Sequence, residues 1–411
     1  MTRLVTVRRL QYTEEVLAEI VLPGGTMRLT RSLASGLTRA PGDPAGVFWG
    51  IGDRGPNIGP KAAAERYGVE RLRGLSGIDG AKVMPLPLTG PALARFRIAG
   101  DVVLLEEVAD LADSSGAAIG GLPVPGAAHA EAEPVFNLGG QPLALAPGGA
   151  DSEGIAALAD GSFWIAEEYG PSLLRVSRSG EVLCRWVPRG LQPCFAGALY
   201  PVVEALPWLA STRKLNRGFE GVAASADGRD LYAAFQSPLA HPDRAAHLAS
   251  SHVRIWHLAG SDGALLDEYV YPLDPPESFR RDNAEGPVAR DDIKLAELQL
   301  DGSGGLLVME RVTASTKIYR VGLPEALRAP PTLADPATRP TLEQQSRAEL
   351  QAAEVPLLEK QLLFSSDDHP QVCPDLEGMV LIGPGHLLLS NDSDYGIEGA
   401  ETQFWLVNLQ E

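Results

Sequence analysis

Apolar residues along this chain come in short runs that alternate with polar ones, and tight turns separate the runs. Positions 155–158 and 163–166 form two such runs around Asp160-Gly161, a pairing that predicts a β-hairpin. Carboxylates stand at both outer ends: Glu153 before the first strand, Glu167 and Glu168 after the second. The layout recurs four more times. Ser35-Gly36-Leu37 leads to Gly52-Asp53-Arg54, and Glu220-Gly221-Val222 to Phe235-Gln236. Asp292-Ile293-Lys294 leads to Glu310-Arg311, and Glu377-Gly378-Met379 to Asn391-Asp392.

A second pair of strand-like runs follows most hairpins: 173–176 with 181–186, 253–258 with 265–271, 317–321 with 358–364, and early on 82–88 with 94–108. Phe404-Trp405-Leu406-Val407 has no successor, so an N-terminal run, 4–10 or 16–21, is expected to complete the last sheet. The pattern predicts an all-β chain: a β-propeller with five clear four-stranded repeats, five or six blades in all, its last blade closed by both termini. It is read as a single domain over 1–411 with insertions at about 109–150, 187–218, 237–251, 272–291 and 324–356. The first is the most mobile by composition. The last is expected to emerge from the face opposite the others, with a short surface helix in 341–353.

Composition supports this picture. Forty-four Gly and 33 Pro in 411 residues suit a turn-rich β protein, and no apolar stretch reaches the roughly 20 residues of a membrane span. A net charge of −18, from 53 acids and 35 bases, argues against a nucleic-acid backbone as partner and suits cation binding. Cys184, Cys194 and Cys373 show neither metal spacing nor a disulfide framework, with a single Cys184–Cys194 bridge left open. The charged opening decapeptide lacks the apolar core of a secretory leader, so either the protein stays inside, cytoplasmic by sequence, or its leader is absent from this chain.

In a propeller the first strand of each repeat lines the central channel and the second returns to the same face, so the hairpin ends share one mouth. Oxygen donors there predict a hard-cation site, Ca²⁺ by preference. The expected ligands are Asp53, Glu153, Glu167, Glu220, Glu310, Glu377, Asn391, Asp392 and Asp394. Arg54, Glu168, Lys294 and Arg311 are the candidate catalytic residues, and Asn57, Tyr169, Gln236 and His369 the candidate substrate contacts. The competing reading makes the acids ordinary solvated strand ends, or ion-pair partners of Lys294 and Arg311.

The segments Gly52-Asp53-Arg54-Gly55-Pro56-Asn57, Asp151-Ser152-Glu153-Gly154-Ile155, Ala166-Glu167-Glu168-Tyr169-Gly170-Pro171, Gly218-Phe219-Glu220-Gly221, Asp375-Leu376-Glu377-Gly378 and Asn391-Asp392-Ser393-Asp394-Tyr395-Gly396 together resemble the bacterial phytase-like family, "esterase-like activity of phytase". The resemblance spans about 36–409. It implies a propeller with recurring Asp and Glu residues, a phosphoester-cleaving activity on a small-molecule substrate, and export in many relatives, against the cytoplasmic signal of the opening residues. Residues and resemblance together predict a metal-dependent phosphoric-ester hydrolase. Two alternatives stand beside it: a lactonase-like hydrolase using one divalent ion, and a non-catalytic propeller that binds a ligand or protein and holds a structural cation.

Overall fold

The computed structural model describes residues 5–127 and 130–409. Five sheets, each with a four-stranded antiparallel core, account for most of the strands. The first blade is Gly36–Thr38, Val47–Ile51, Ala92–Ala99 and Val102–Asp110, from channel to rim. The second is Ser152–Ala157, Phe163–Glu167, Ser172–Val176 and Val182–Pro188, extended by the parallel strand Val202–Leu206. The third comprises Phe219–Ala224, Asp230–Phe235, His252–Ala259 and Leu265–Pro272, and the fourth Lys294–Leu300, Leu306–Arg311, Thr316–Val321 and Lys360–Ser365. In the fifth, Leu376–Gly383, His386–Asn391 and Phe404–Leu409 are completed by the N-terminal strand Val5–Leu10. The five innermost strands neighbour one another in a closed ring. This is a five-bladed β-propeller.

The recurring Glu-Gly dipeptide has a packing cause. Strand pairing slips by a bulge between Ser152 and Ile155, Phe219 and Gly221, and Leu376 and Gly378. Glu153, Glu220 and Glu377 sit in those slips, where a bulge re-aims the side chain out of the ladder. The glycine that follows lets the next inner strand approach. A Cβ on Gly154 would lie 2.4 Å from the Glu220 carbonyl oxygen, and one on Gly221 would lie 2.7 Å from the Leu298 nitrogen. Below the mouth the channel is crossed by Glu297, whose carboxylate accepts a hydrogen bond from the Leu37 backbone at 3.2 Å.

Apolar faces fill the space between blades. Phe219, Phe235 and Trp256 are fully buried and pack at ring distances of 4.6 to 5.9 Å; each buried Phe contributes on the order of 1.5–3 kcal/mol. Trp49 and Trp164 are packing residues too, Trp49 against Phe163 and Trp164 against Trp186.

Several expectations are corrected. The outer strands of the first blade are Ala92–Ala99 and Val102–Asp110, whereas Lys82–Val83 leaves the blade to pair with Val135–Phe136 from the 109–150 insertion. Val16–Leu22 forms a hairpin with Gly25–Thr30 instead of closing a blade. The 324–356 insertion does leave at the end of the fourth blade away from the mouth, between Val321 and Lys360, and from there it folds along the third blade: Leu342 and Leu350 are buried, and Glu343 is hidden against Arg254. A helix does form within it, Arg347–Ala352, capped by Ser346. All three cysteines are free, which removes the Cys184–Cys194 bridge. Among the described residues no helix is long and apolar enough to cross a membrane.

Candidate metal centre

The strand ends meet in a mouth cavity of about 190 Å³. Acids reach it from four blades: Asp53 from the first, Glu153 and Glu168 from the second, Glu220 from the third, and Asp392 and Asp394 from the fifth. The fourth blade presents Lys294 and Arg311 instead.

The carboxylates form overlapping triads whose oxygens lie within 4.8 Å of one another: Asp53–Asp392–Asp394, Asp53–Asp151–Glu153, and Glu153–Glu168–Glu220. Few of these oxygens are satisfied. Glu153 has no hydrogen bond among the described residues, and the Glu220 Oε2 and both Asp151 oxygens are buried without one. Asp151 faces the Arg54 guanidinium at 2.9 Å, a charge contact without good hydrogen-bond alignment. Asp392 accepts from Ser32 Oγ at 2.7 Å, and Glu220 from Gln236 Nε2 at 2.5 Å. The turn after Asp392 helps clamp the first and fifth blades together: Tyr395, in the left-handed region at φ 56°, donates its hydroxyl to the Asp53 carbonyl at 3.1 Å.

Burial, then mutual repulsion, pushes these carboxyls toward their neutral forms. Glu153 and Asp392 are driven well above the ordinary range, Glu153 also by Glu220 and Asp151, Asp392 also by Asp394 and Asp53. Glu220 rises to about 7, through burial and then Glu168. Opposite them Lys294 falls to about 7, mainly because of the Arg311 charge and then burial. Clustered acids with orphaned oxygens and an all-oxygen donor set fit a hard divalent cation, which would take the place of the protons that burial and repulsion favour.

The structure separates neighbours that the sequence left together. Glu167 turns into the second blade, where it meets Arg185 at 2.6 Å and Ser172 Oγ at 2.7 Å. Glu310 is enclosed by Lys360 at 2.6 Å, the Tyr271 hydroxyl at 2.8 Å and the Asp274 backbone. Asn391 is held by the Gln403 nitrogen and two carbonyls. None of these three lines the cavity. Successive strand residues point to opposite faces, so Glu168 and Arg311 face the mouth while Glu167 and Glu310 face blade interiors. Glu377 lines the cavity but binds Arg311, which Asp375 also holds at 3.0 Å.

Arg54 reaches the cavity but is engaged by Glu133 at 2.7 Å, Asp151, and Asn216 at 3.0 Å. It therefore acts as an anchor for acids. Tyr169 lies behind the cavity wall, its ring under Arg54 and its hydroxyl on the Gly121 carbonyl at 2.5 Å. Asn57 and Gln236 line the mouth. His369 stacks on Phe364 away from it. Sequence reasoning missed Asp151, Glu133, Asn216, Arg217, Lys82 and Asp375. Asp151, two residues before Glu153, Asp375, two before Glu377, and Arg217, three before Glu220, carried a positional signal; Glu133, deep in the 109–150 insertion, carried none.

Residues 32–395 match the family described as "Phytase-like: Esterase-like activity of phytase". The chain belongs to the phytase-like family. One relative of this phytase-like chain, an "Uncharacterized secreted protein" of Arthroderma benhamiae, is 33% identical over 137 residues, 30% of this chain and 27% of that protein. The matched stretch thus spans about a quarter of that relative's length. Solved structures with a similar fold include virginiamycin B lyase from Staphylococcus aureus, at 10% identity, 99% coverage of both chains and a TM-score of 0.32. Another is the PQQ-bound aldose sugar dehydrogenase from Streptomyces coelicolor, at 9% identity, 98% coverage of both and a TM-score of 0.30.

Proposed function

We propose that this phytase-like protein is a metal-dependent phosphoric-ester hydrolase acting on small-molecule phosphoesters. The observation that carries the reading is the split mouth: an arc of unneutralised carboxylates facing a cationic fourth blade across one cavity. Asp53, Glu153, Asp392 and Asp394 would hold the cation, Ca²⁺ by donor chemistry, with Glu168 and Glu220 beside them. When bound, that cation supplies neutralisation of phosphate charge and a lowered pKa for nearby water.

The chain's own residues do the rest. Lys294 has no hydrogen bond or ion pair among the described residues and is free to meet a phosphate oxygen. Arg311 is oriented by Asp375 and Glu377, and Arg217 by the Gln236 side chain at 2.5 Å. Donors fixed in place before the reaction stabilise charge that develops in the transition state. An approaching anion also restores the Lys294 proton that Arg311 and burial disfavour.

The test is hydrolysis of phosphomonoesters and phosphodiesters by chelated protein before and after Ca²⁺ is restored. Turnover that returns with Ca²⁺ in the wild type, and not in Glu153→Gln, supports the reading. Folded, cation-loaded protein that cleaves no phosphoester overturns it, and turnover of sugar lactones alone selects the lactonase alternative.

A further inference from the structure

Beside the mouth lies a larger recess of about 680 Å³, walled by insertions outside the blades. Two wall segments run directly into the mouth. Arg213, Lys214 and Leu215 line the recess and the next residues, Asn216 and Arg217, line the mouth; Gly80 and Lys82 repeat this on another segment. With consecutive Cα atoms about 3.8 Å apart, the two cavities lie within reach of one small organic molecule's length.

The recess opposes the overall charge. In a chain of net charge −18, it gathers Arg213, Lys214, Arg244 and Arg339 against Asp79 and Glu131. Buried Arg213 donates to the carbonyls of Tyr169 at 3.0 Å, Lys214 at 3.1 Å and Glu131 at 3.3 Å. Arg339 donates to the carbonyls of Pro336 at 2.8 Å and Thr338 at 2.7 Å, with His241 at 3.5 Å. Neither guanidinium pairs with a carboxylate among the described residues. Arg244 meets Asp79 only at 3.8 Å, both side chains being exposed, and such a contact is weak. Lys214 is committed to Asp291 at 2.7 Å. Trp208 and His241, edge to face at 6.2 Å, add an aromatic wall.

We propose that this recess binds an oxyanion carried on a planar apolar body, and that it receives the non-reacting end of the substrate. Guanidinium forks match carboxylate, sulfonate and phosphate oxygens and also stack on rings. The first half stands on the recess alone; the second rests on the phosphoester reading above.

The probe is naphthalene-1-sulfonate, which cannot be hydrolysed and is a weak metal ligand, followed by its fluorescence anisotropy. The expected result is saturable binding, at least ten-fold weaker in an Arg244→Ala/Arg339→Ala double variant and unchanged in Glu153→Gln. Both arginines are exposed, and an unchanged Tm confirms that the double variant is folded. No saturable binding to folded wild type, or equal affinity in the double variant, overturns the site. For the second half, the double variant should raise KM for a sulfonated naphthyl phosphate, and not for phenyl phosphate, at constant kcat. An equal KM for both proteins overturns that half. Arginine-dependent binding without any phosphoester turnover would overturn the hydrolase reading and leave the anion site standing.

Discussion

The blade interiors and the mouth both bury charge, and they treat it differently. Inside the third blade, Arg254 is met by Glu343 at 2.6 Å and Glu268 at 2.8 Å, Glu268 also accepts from Trp256 at 2.7 Å, and a carbonyl takes a remaining donor. Glu167 with Arg185, and Glu310 with Lys360, repeat the pattern. At the mouth, acids that range from buried (Asp53, Asp151, Glu168, Glu220) to half-buried (Glu153, Asp392) and exposed (Asp394) face one another, and both Asp151 oxygens and Glu220 Oε2 are buried without a hydrogen bond. Breaking a buried pair costs several kcal/mol, so an unpaired buried charge does not persist for stability alone. This contrast is what the proposed cation site rests on.

Four perturbations break or sharpen this comparison. Arg254→Ala should have the largest effect, leaving two buried carboxylates unpaired and lowering unfolding free energy by roughly 3–5 kcal/mol. Urea unfolding checks it, and a loss well under 1 kcal/mol would show that the interior pairs are not what neutralises the blades. Lys294→Met should cut kcat on a phosphoester by about 10²–10³, the usual scale for removing one preorganised donor, without lowering the Tm. A fall in Tm with kcat intact would make Lys294 structural.

Glu153→Gln removes a carboxyl whose ionisation burial, Glu220 and Asp151 oppose, so at pH above the ordinary carboxyl range its chelated Tm should rise above wild type. It should also lose the Ca²⁺-induced stabilisation, which for wild type at 100 times Kd is about 2.7 kcal/mol. Equal Ca²⁺ responses in the two proteins would move the cation elsewhere. The fourth effect is on pH. Glu220 holds its proton up to about 7 in the folded state against an ordinary 4.5, so its contribution is fully present below pH 4.5 and is lost as pH rises to about 7. Chelated wild type should lose stability across that window and Glu220→Gln should lose less, by thermal melts at fixed ionic strength; identical slopes would sink the assignment.

Much of this architecture was legible in the chain. Alternating runs around Asp160-Gly161 and its four counterparts marked the inner hairpins, because side-chain period and turn chemistry are local properties. Asp53, Glu153, Glu168, Glu220 and Asp392, read at strand ends, and Asp394, read in the loop that follows, do converge. The outer strands of the first blade were misread because the mostly apolar run 82–88 serves a different partner, Lys82–Val83 pairing with Val135–Phe136. Nothing local distinguishes a strand that joins its own blade from one that joins an insertion.

The sequence alone determined that hairpins repeat, that glycine follows glutamate at the channel, and that acids cluster at the strand ends. Only the tertiary structure decided how each acid is used. A bulge at Glu153 and Glu220 directs carboxylates into the mouth, while strict alternation turns Glu167 and Glu310 inward to Arg185 and Lys360. Glu133 and Arg217 arrive from insertions whose paths depend on packing across the whole ring. Electrostatic neutralisation is a property of distances in three dimensions, and those distances are set by which blades become neighbours.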